Sequence, residues 1–142
     1  MFDNIASNQV FTLTKNLQDI GGFDTRVRRL QDWDTWLRLA HAHGPFKRFP
    51  EYKYLMHHDH AKNEQRVSKS YPLSSALADL LERNSNIYVG ADAKYMRFIV
   101  ASTDKSASFS ESIYWAVKKT APKYIVKYIL NRLNLNLGLI KS

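Results

Sequence analysis

The sequence predicts an α+β chain that is mostly helical, with a few short strands. Three observations carry that expectation. Leu30, Trp33, Trp36, Leu37 and Ala40 recur at offsets of three and four, as do Leu73, Ala76, Leu77, Leu80 and Leu81; this is the period of a helix with one apolar face. Val10 to Leu13 and Tyr52 to His57 alternate instead, which is the period of a strand. Gly21-Gly22, Gly44-Pro45, Pro72 and Pro122 punctuate the chain between the periodic stretches, where stops and starts belong.

Taken in order, residues 8–13 read as a short strand. Thr14 is placed to cap a helix from Lys15 to Ile20, which Gly21-Gly22 ends. The next helix runs from about Asp32 to His43 and stops at Gly44-Pro45. Residues 46–58 are expected to be extended, with Pro50 marking an edge or a break between two strands. Residues 71–88 read as a helix opened by Tyr71-Pro72 and closed around Asn84-Ser85-Asn86. A further helix covers 91–102, with Tyr95, Phe98 and Ile99 inward. Ser106 to Ser112 is a polar hinge, or the cap of a helix from Glu111 to Lys119. Ala121-Pro122 starts a last helix to about Leu137.

The chain has 142 residues, a length that suits one domain. A hydrophobic content of 44% with 13% aromatic residues is enough for a core and excludes a disordered chain. There is no cysteine, hence no disulfide frame and no thiolate metal site, which fits a reducing compartment. No apolar run reaches spanning length, and Met-Phe-Asp-Asn does not read as a signal peptide. The formal net charge of +8 favours anionic partners: nucleotide diphosphates, nucleic acid or acidic lipid.

Chemistry concentrates in residues 21–39. Asp32 and Asp34 fall in the first turn of the predicted helix, where the positive end of the dipole stabilises carboxylates. Asp34 is spaced to pair with Arg38 along the surface. Two residues on a helix are about 200° apart, so the two aspartates cannot share one job. An ionised Asp32 suits a general base; an Asp ahead of an apolar-periodic run is more commonly an N-cap, and the residues alone leave both open. Asp32-Trp33-Asp34 imitates an Asp-x-Asp metal motif, but Arg28-Arg29-Leu30-Gln31 before it is no apolar strand, so the pair is not read as a metal site. The second cluster is His57-His58-Asp59-His60. On an extended chain His58 and His60 share a face at a spacing that binds one divalent ion, or they belong to a polar turn.

Gly21-Gly22-Phe23-Asp24 followed by Leu30-Gln31-Asp32-Trp33-Asp34-Thr35-Trp36-Leu37-Arg38-Leu39 resembles the acceptor-side signature of inverting family 2 glycosyltransferases of the GT-A type. The resemblance covers roughly residues 4–70. It implies that Asp32 is the base that deprotonates the acceptor hydroxyl. It places Gly22, Phe23, Asp24, Trp33 and Asp34 at the acceptor. Gln31 stands where the family usually has an acid, which removes one charge. In the resembling enzymes a strand ends in a His that reaches the metal or the diphosphate, and a loop with Arg and Ser covers the nucleotide. Here that implies His58, for both metal and nucleotide, and Arg66 for the diphosphate.

The resemblance also implies what is not in these residues: an N-terminal α/β half that binds the nucleotide and holds the metal motif. The chain is therefore expected to be the C-terminal, acceptor-side part of such an enzyme, with residues 1–70 in the catalytic domain and 71–142 a helical extension packed on it. A positioned base contributes about 10²–10⁴-fold, so the isolated chain is expected to be inactive and to need no cofactor. The parent would use a divalent metal, Mn²⁺ or Mg²⁺, a nucleotide sugar and a glycan or lipid-linked acceptor in surface polysaccharide or lipopolysaccharide synthesis. Its place would be the cytoplasm or the inner face of the membrane.

After Glu111 the chain has no acidic residue. Val126, Ile129, Leu130, Leu133, Leu137 and Ile140 form one apolar face there, and Lys123, Lys127, Asn131 and Asn134 a polar one. Residues 122–140 therefore suit an anionic membrane surface, burial on the chain's own body, or a second copy of the chain. The competing class is a non-enzymatic basic helical module that binds nucleic acid or acidic membrane; on the glycosyltransferase reading nucleic acid is not a partner.

Overall fold

The structure is a computed structural model that describes residue 5, residues 9–48 and residues 71–133. The chain divides into two compact units, Met1–Pro72 and Leu73–Ser142. The described residues are mostly helical, with six helices and no strand.

The first unit holds α1 (Thr14–Asp19) and α2 (Gln31–His43). Thr14 does not cap α1: the cap position is Leu13, in extended conformation, without a side-chain bond. The end of α1 follows the sequence more closely. Gly22 N–H donates to Leu17 O at 2.8 Å and Gly21 N–H to Gln18 O at 3.0 Å, the crossed pair of a Schellman stop. Both glycines sit at positive φ, 76° and 66°, which a side chain would strain. The strand expected over 8–13 is not formed among its described residues. Phe11 and Leu13 are exposed, and alternation alone makes an extended segment, because a strand also needs a partner to receive its backbone groups. Residues 46–48 are likewise in neither helix nor strand; the rest of the extended stretch expected over 46–58 lies outside the described residues.

The second unit holds α3 (Leu73–Arg83), α4 (Gly90–Thr103), α5 (Phe109–Lys118) and α6 (Lys123–Arg132). α3 buries Ala76, Leu77 and Leu80 against α4. It ends at Arg83, short of 88 but at the expected Asn84-Ser85-Asn86 stop, where the buried Asn84 turns its side-chain amide back to donate to Leu80 O at 3.0 Å. α4 buries Tyr95 and Phe98, as expected, and also Met96, which is wholly enclosed. Ile99 is only half-buried. An aromatic cluster joins three helices: Tyr95 and Trp115 lie 4.8 Å apart between ring centres, Phe98 meets Tyr124 edge-on at 5.1 Å, and the Tyr95 and Tyr124 hydroxyls are hydrogen-bonded. Burying each of these side chains contributes about 1.5–3 kcal/mol, several times what helix propensity supplies.

α5 starts with a capping box. Glu111 N–H donates to Ser108 Oγ at 3.2 Å and Ser108 N–H to Glu111 Oε2 at 2.9 Å. The Ser108 hydroxyl and then its backbone N–H hold the Glu111 carboxyl below its ordinary range. Of the two sequence readings for 106–112, the cap is the one that folds, and the helix begins two residues before Glu111.

Of the covers open to the apolar face of 122–140, burial on the chain's own body reaches only part of it: Leu130 is half-buried, and the rest of the face read from the sequence is turned outward among the described residues. Tyr124 is buried, Lys127 and Asn131 are half-buried, and Val126, Ile129 and Leu133 are exposed. Lys127 Nζ donates to Thr103 Oγ1 at 3.5 Å and Asn131 Nδ2 to Ser102 O at 3.4 Å. The physical reason is Tyr124: its ring and hydroxyl complete the aromatic cluster, and the residues one turn along follow it inward. Burial, with Lys123 nearby as a lesser cause, holds the Lys127 ammonium below the ordinary lysine value.

A depressed lysine destabilises the fold wherever it is charged in both states, and that cost fades as pH rises from the folded value to the unfolded one. Lys127→Met is therefore expected to raise Tm at neutral pH, with the advantage shrinking towards the ordinary lysine range. Thermal unfolding followed by circular dichroism at several pH values checks this; an advantage that grows with pH contradicts it.

Candidate functional site

The candidate site is the entry to α2. Leu30 precedes the helix in left-handed conformation, φ 67°, and accepts from Asp34 N–H at 3.0 Å. This is an uncommon conformation for a leucine. The segment is held nearby by Arg29 Nη1, which donates to Tyr71 O at 2.7 Å. Because Leu30 occupies the cap position, Asp32 is not the N-cap; it is the second residue of the helix. Asp32 is half-buried, and among the described residues its carboxylate has no hydrogen-bond or ion-pair partner.

Asp34 is the opposite case. Expected to pair along the surface, it is 2% exposed, and Arg38 Nε donates to its Oδ2 at 3.0 Å. The same guanidinium reaches past α2. Nη1 donates to Ile20 O at 2.6 Å and Nη2 to Gly22 O at 2.8 Å. Arg38 thus collects carbonyls left over at the end of α1, where positive charge is favoured. Trp36 is buried, donates from Nε1 to Ile5 O at 2.9 Å, and carries Phe23 edge-on at 5.5 Å. Trp33 is buried as well, and its Nε1 has no hydrogen-bond partner among the described residues.

The turn after α1 is closed by charge. Arg26 grips Asp24 from Nε at 2.9 Å and Nη2 at 2.8 Å, and its backbone N–H donates to Asp24 Oδ1 at 2.9 Å. That pairing, chiefly its hydrogen bonds, raises the Arg26 pKa further. An open pocket of about 600 Å³ lies against this turn, with Gly21, Phe23, Asp24, Arg26 and Arg38 among its walls. Asp32 is not one of its lining residues.

Of the residues that the resemblance points to, Phe23 and Asp24 line the pocket, Gly22 shapes the turn behind it, and Trp33 and Asp34 are turned inward. His58, His60 and Arg66 lie outside the described residues. Among the described residues no three His, Asp or Glu side chains come together as metal ligands. Sequence reasoning missed the reach of Arg38. The available signal was its position beside the stripe of Trp33, Trp36 and Leu37, where a charged pair must be closed to be stable.

No family model, curated protein or solved structure matches the chain.

Removing the Arg38 guanidinium leaves a buried carboxylate and two carbonyls without their donor. Arg38→Ala is expected to destabilise the first unit by about 3–5 kcal/mol. Asp34→Leu combined with Arg38→Met, which removes both charges, should recover more than half of that loss. Urea unfolding followed by tryptophan fluorescence measures both; a double variant as unstable as the single one would show that the carbonyl contacts, and not the ion pair, hold the site.

Proposed function

We propose that residues 21–39 are the acceptor-side element of an inverting glycosyltransferase of the family 2 type, with Asp32 as its base. The observation that carries this reading is the division of labour between two neighbouring carboxylates. Asp34 is buried on Arg38, and Asp32 stands in the first turn of the same helix with no partner among the described residues. A carboxylate is the form of an aspartate that accepts a proton. In the reaction, an Asp32 oxygen takes the proton of an acceptor sugar hydroxyl. The hydroxyl oxygen forms its bond to the anomeric carbon from the face opposite the leaving group. The bond from that carbon to the diphosphate oxygen breaks, its electron pair leaves with the nucleoside diphosphate, and the configuration inverts. The proposed acceptor is a glycan or lipid-linked sugar of surface polysaccharide synthesis, with Phe23 and Asp24 among its contacts.

On this reading the donor nucleotide and a divalent metal, Mn²⁺ or Mg²⁺, belong to a nucleotide-binding half, with His58 and Arg66 as the contacts from this chain. The enzyme would work in the cytoplasm, on the inner face of the membrane. Among the described residues no helix is long and apolar enough to cross a membrane.

Two measurements test the proposal. In a protein that joins this chain to such a nucleotide-binding half, Asp32→Asn is expected to lower kcat about a hundredfold or more while donor affinity is kept. Near-unchanged turnover would leave Asp32 a surface residue of α2 and end the reading. The isolated chain is expected to transfer no sugar and to bind UDP or GDP only weakly in calorimetry with Mn²⁺. Tight, metal-dependent binding would instead place a nucleotide site within these residues, with His58, His60 and Arg66 the first to substitute.

A further inference from the structure

We infer that the outer face of the α5–α6 pair is a docking surface for an anionic membrane. The inference stands apart from the glycosyltransferase reading and uses none of its residues.

The two helices are antiparallel. A short link, 119–122, joins them, and Phe109 at the start of α5 packs on Tyr128 in the second half of α6, with ring centres 5.3 Å apart. On α6, Val126 is 52% exposed, Ile129 46% and Leu133 61%. Tyr124 and Val126 are two residues apart, about 200° around the helix, so this row points away from the aromatic cluster that Tyr124 completes. On α5, Phe109, Ile113 and Val117 recur every four residues and are exposed as well, Val117 at 76%. The contact of Phe109 with Tyr128 puts that row on the side of α5 that borders α6. Six large apolar side chains on two neighbouring helices are thus exposed. An unpartnered surface of this kind marks an interaction site.

Charge decides the occupant. From Ser112 to Ser142 the sequence has no acidic residue, and Lys118, Lys123 and Arg132 are exposed basic residues on these two helices. Tyr114 and Tyr128 carry Lys118 and Arg132 over their rings, at 5.3 and 5.4 Å. Apolar residues flanked by basic and aromatic ones fit the boundary between acyl chains and anionic headgroups. A second copy fits less well, because a two-fold contact sets the same patch against itself and would bring cations against cations. A nucleic acid would meet the lysines and leave the two apolar rows uncovered. The orientation of α6 agrees: it keeps Lys127 half-buried against Thr103 while the valine, isoleucine and leucine face outward, an arrangement that costs least when an apolar medium lies outside.

The test uses the whole chain and vesicles of neutral phosphatidylcholine, or of phosphatidylcholine with phosphatidylglycerol, at low and high ionic strength, with binding read by flotation. Affinity for the anionic vesicles is expected to exceed that for the neutral ones about tenfold and to fall with salt. Val126→Ser with Ile129→Ser should weaken anionic-vesicle binding about tenfold with helicity unchanged by circular dichroism. If that pair disturbs folding, Lys118→Gln with Lys123→Gln, at exposed positions, carries the test: it should weaken binding to anionic vesicles alone and reduce the salt dependence. Absence of vesicle binding overturns the inference, as does equal binding to both vesicle types. A dimer in gel filtration that Val126→Ser with Ile129→Ser turns into a monomer also overturns it, and assigns the face to a second copy.

Discussion

The guanidinium of Arg38 is the contact on which the first unit depends. α1 is only six residues long, too short to be stable by its own hydrogen bonds. It ends at Gly21-Gly22 with carbonyls that no helix continues to satisfy. Arg38 takes two of them, at Ile20 and Gly22, and takes the buried Asp34 with its remaining nitrogen. A lysine would not serve, since its single ammonium lacks the fork that reaches two carbonyls and a carboxylate at once. The turn that carries Phe23 and Asp24 is placed against α2 by this one side chain, and Trp36 secures the same helix from another side through Ile5. The pocket beside the turn exists because these ties hold its walls.

The second unit depends on aromatic burial in the same way. Tyr124 enters the cluster of Tyr95, Phe98 and Trp115, and that decides which side of α6 faces inward. The apolar pattern of α6 argues for the reverse orientation, yet one ring that fills a gap among three others outweighs three aliphatic residues that have no cavity to fill. The consequence reaches the surface, where Val126, Ile129 and Leu133 are left exposed.

Helix existence was legible in the sequence, and some bounds were close: 32–43 against Gln31–His43, and 91–102 against Gly90–Thr103. Both are long, periodic segments with glycine at an end. Caps were less legible. Thr14 and Asp32 have the right chemistry, but the residue with non-helical backbone is the leucine before each helix proper, Leu13 and Leu30. Capping depends on where the backbone bends, and that is set by tertiary contacts such as Arg29 with Tyr71. Ser108 was not singled out either: the sequence offered a hinge or a cap over 106–112 with a helix from Glu111, and the helix begins at Phe109 behind Ser108. The expected strand over 8–13 failed because alternation says which residues share a face and nothing about a neighbour to pair with. The spacing of Asp34 and Arg38 announced their bond; its burial, and the carbonyls that Arg38 gathers from eighteen and sixteen residues away, are long-range facts that no local pattern contains.

The freedom of Asp32 has a cost on the proposed reading. A base works best when its own rotamer is held by neighbours within a fraction of an ångström. α2 is firmly anchored through Arg38 and Trp36, so the backbone of Asp32 is well placed, but among the described residues nothing grips its carboxylate. Gln31 stands beside it where the resembling family has an acid. The aim of the base must come from the acceptor once bound. Orientation supplied by substrate rather than by the protein leaves part of the entropy of alignment to each turnover. The rate contributed by Asp32 should then lie towards the lower end of the roughly 10²–10⁴-fold that a positioned base provides.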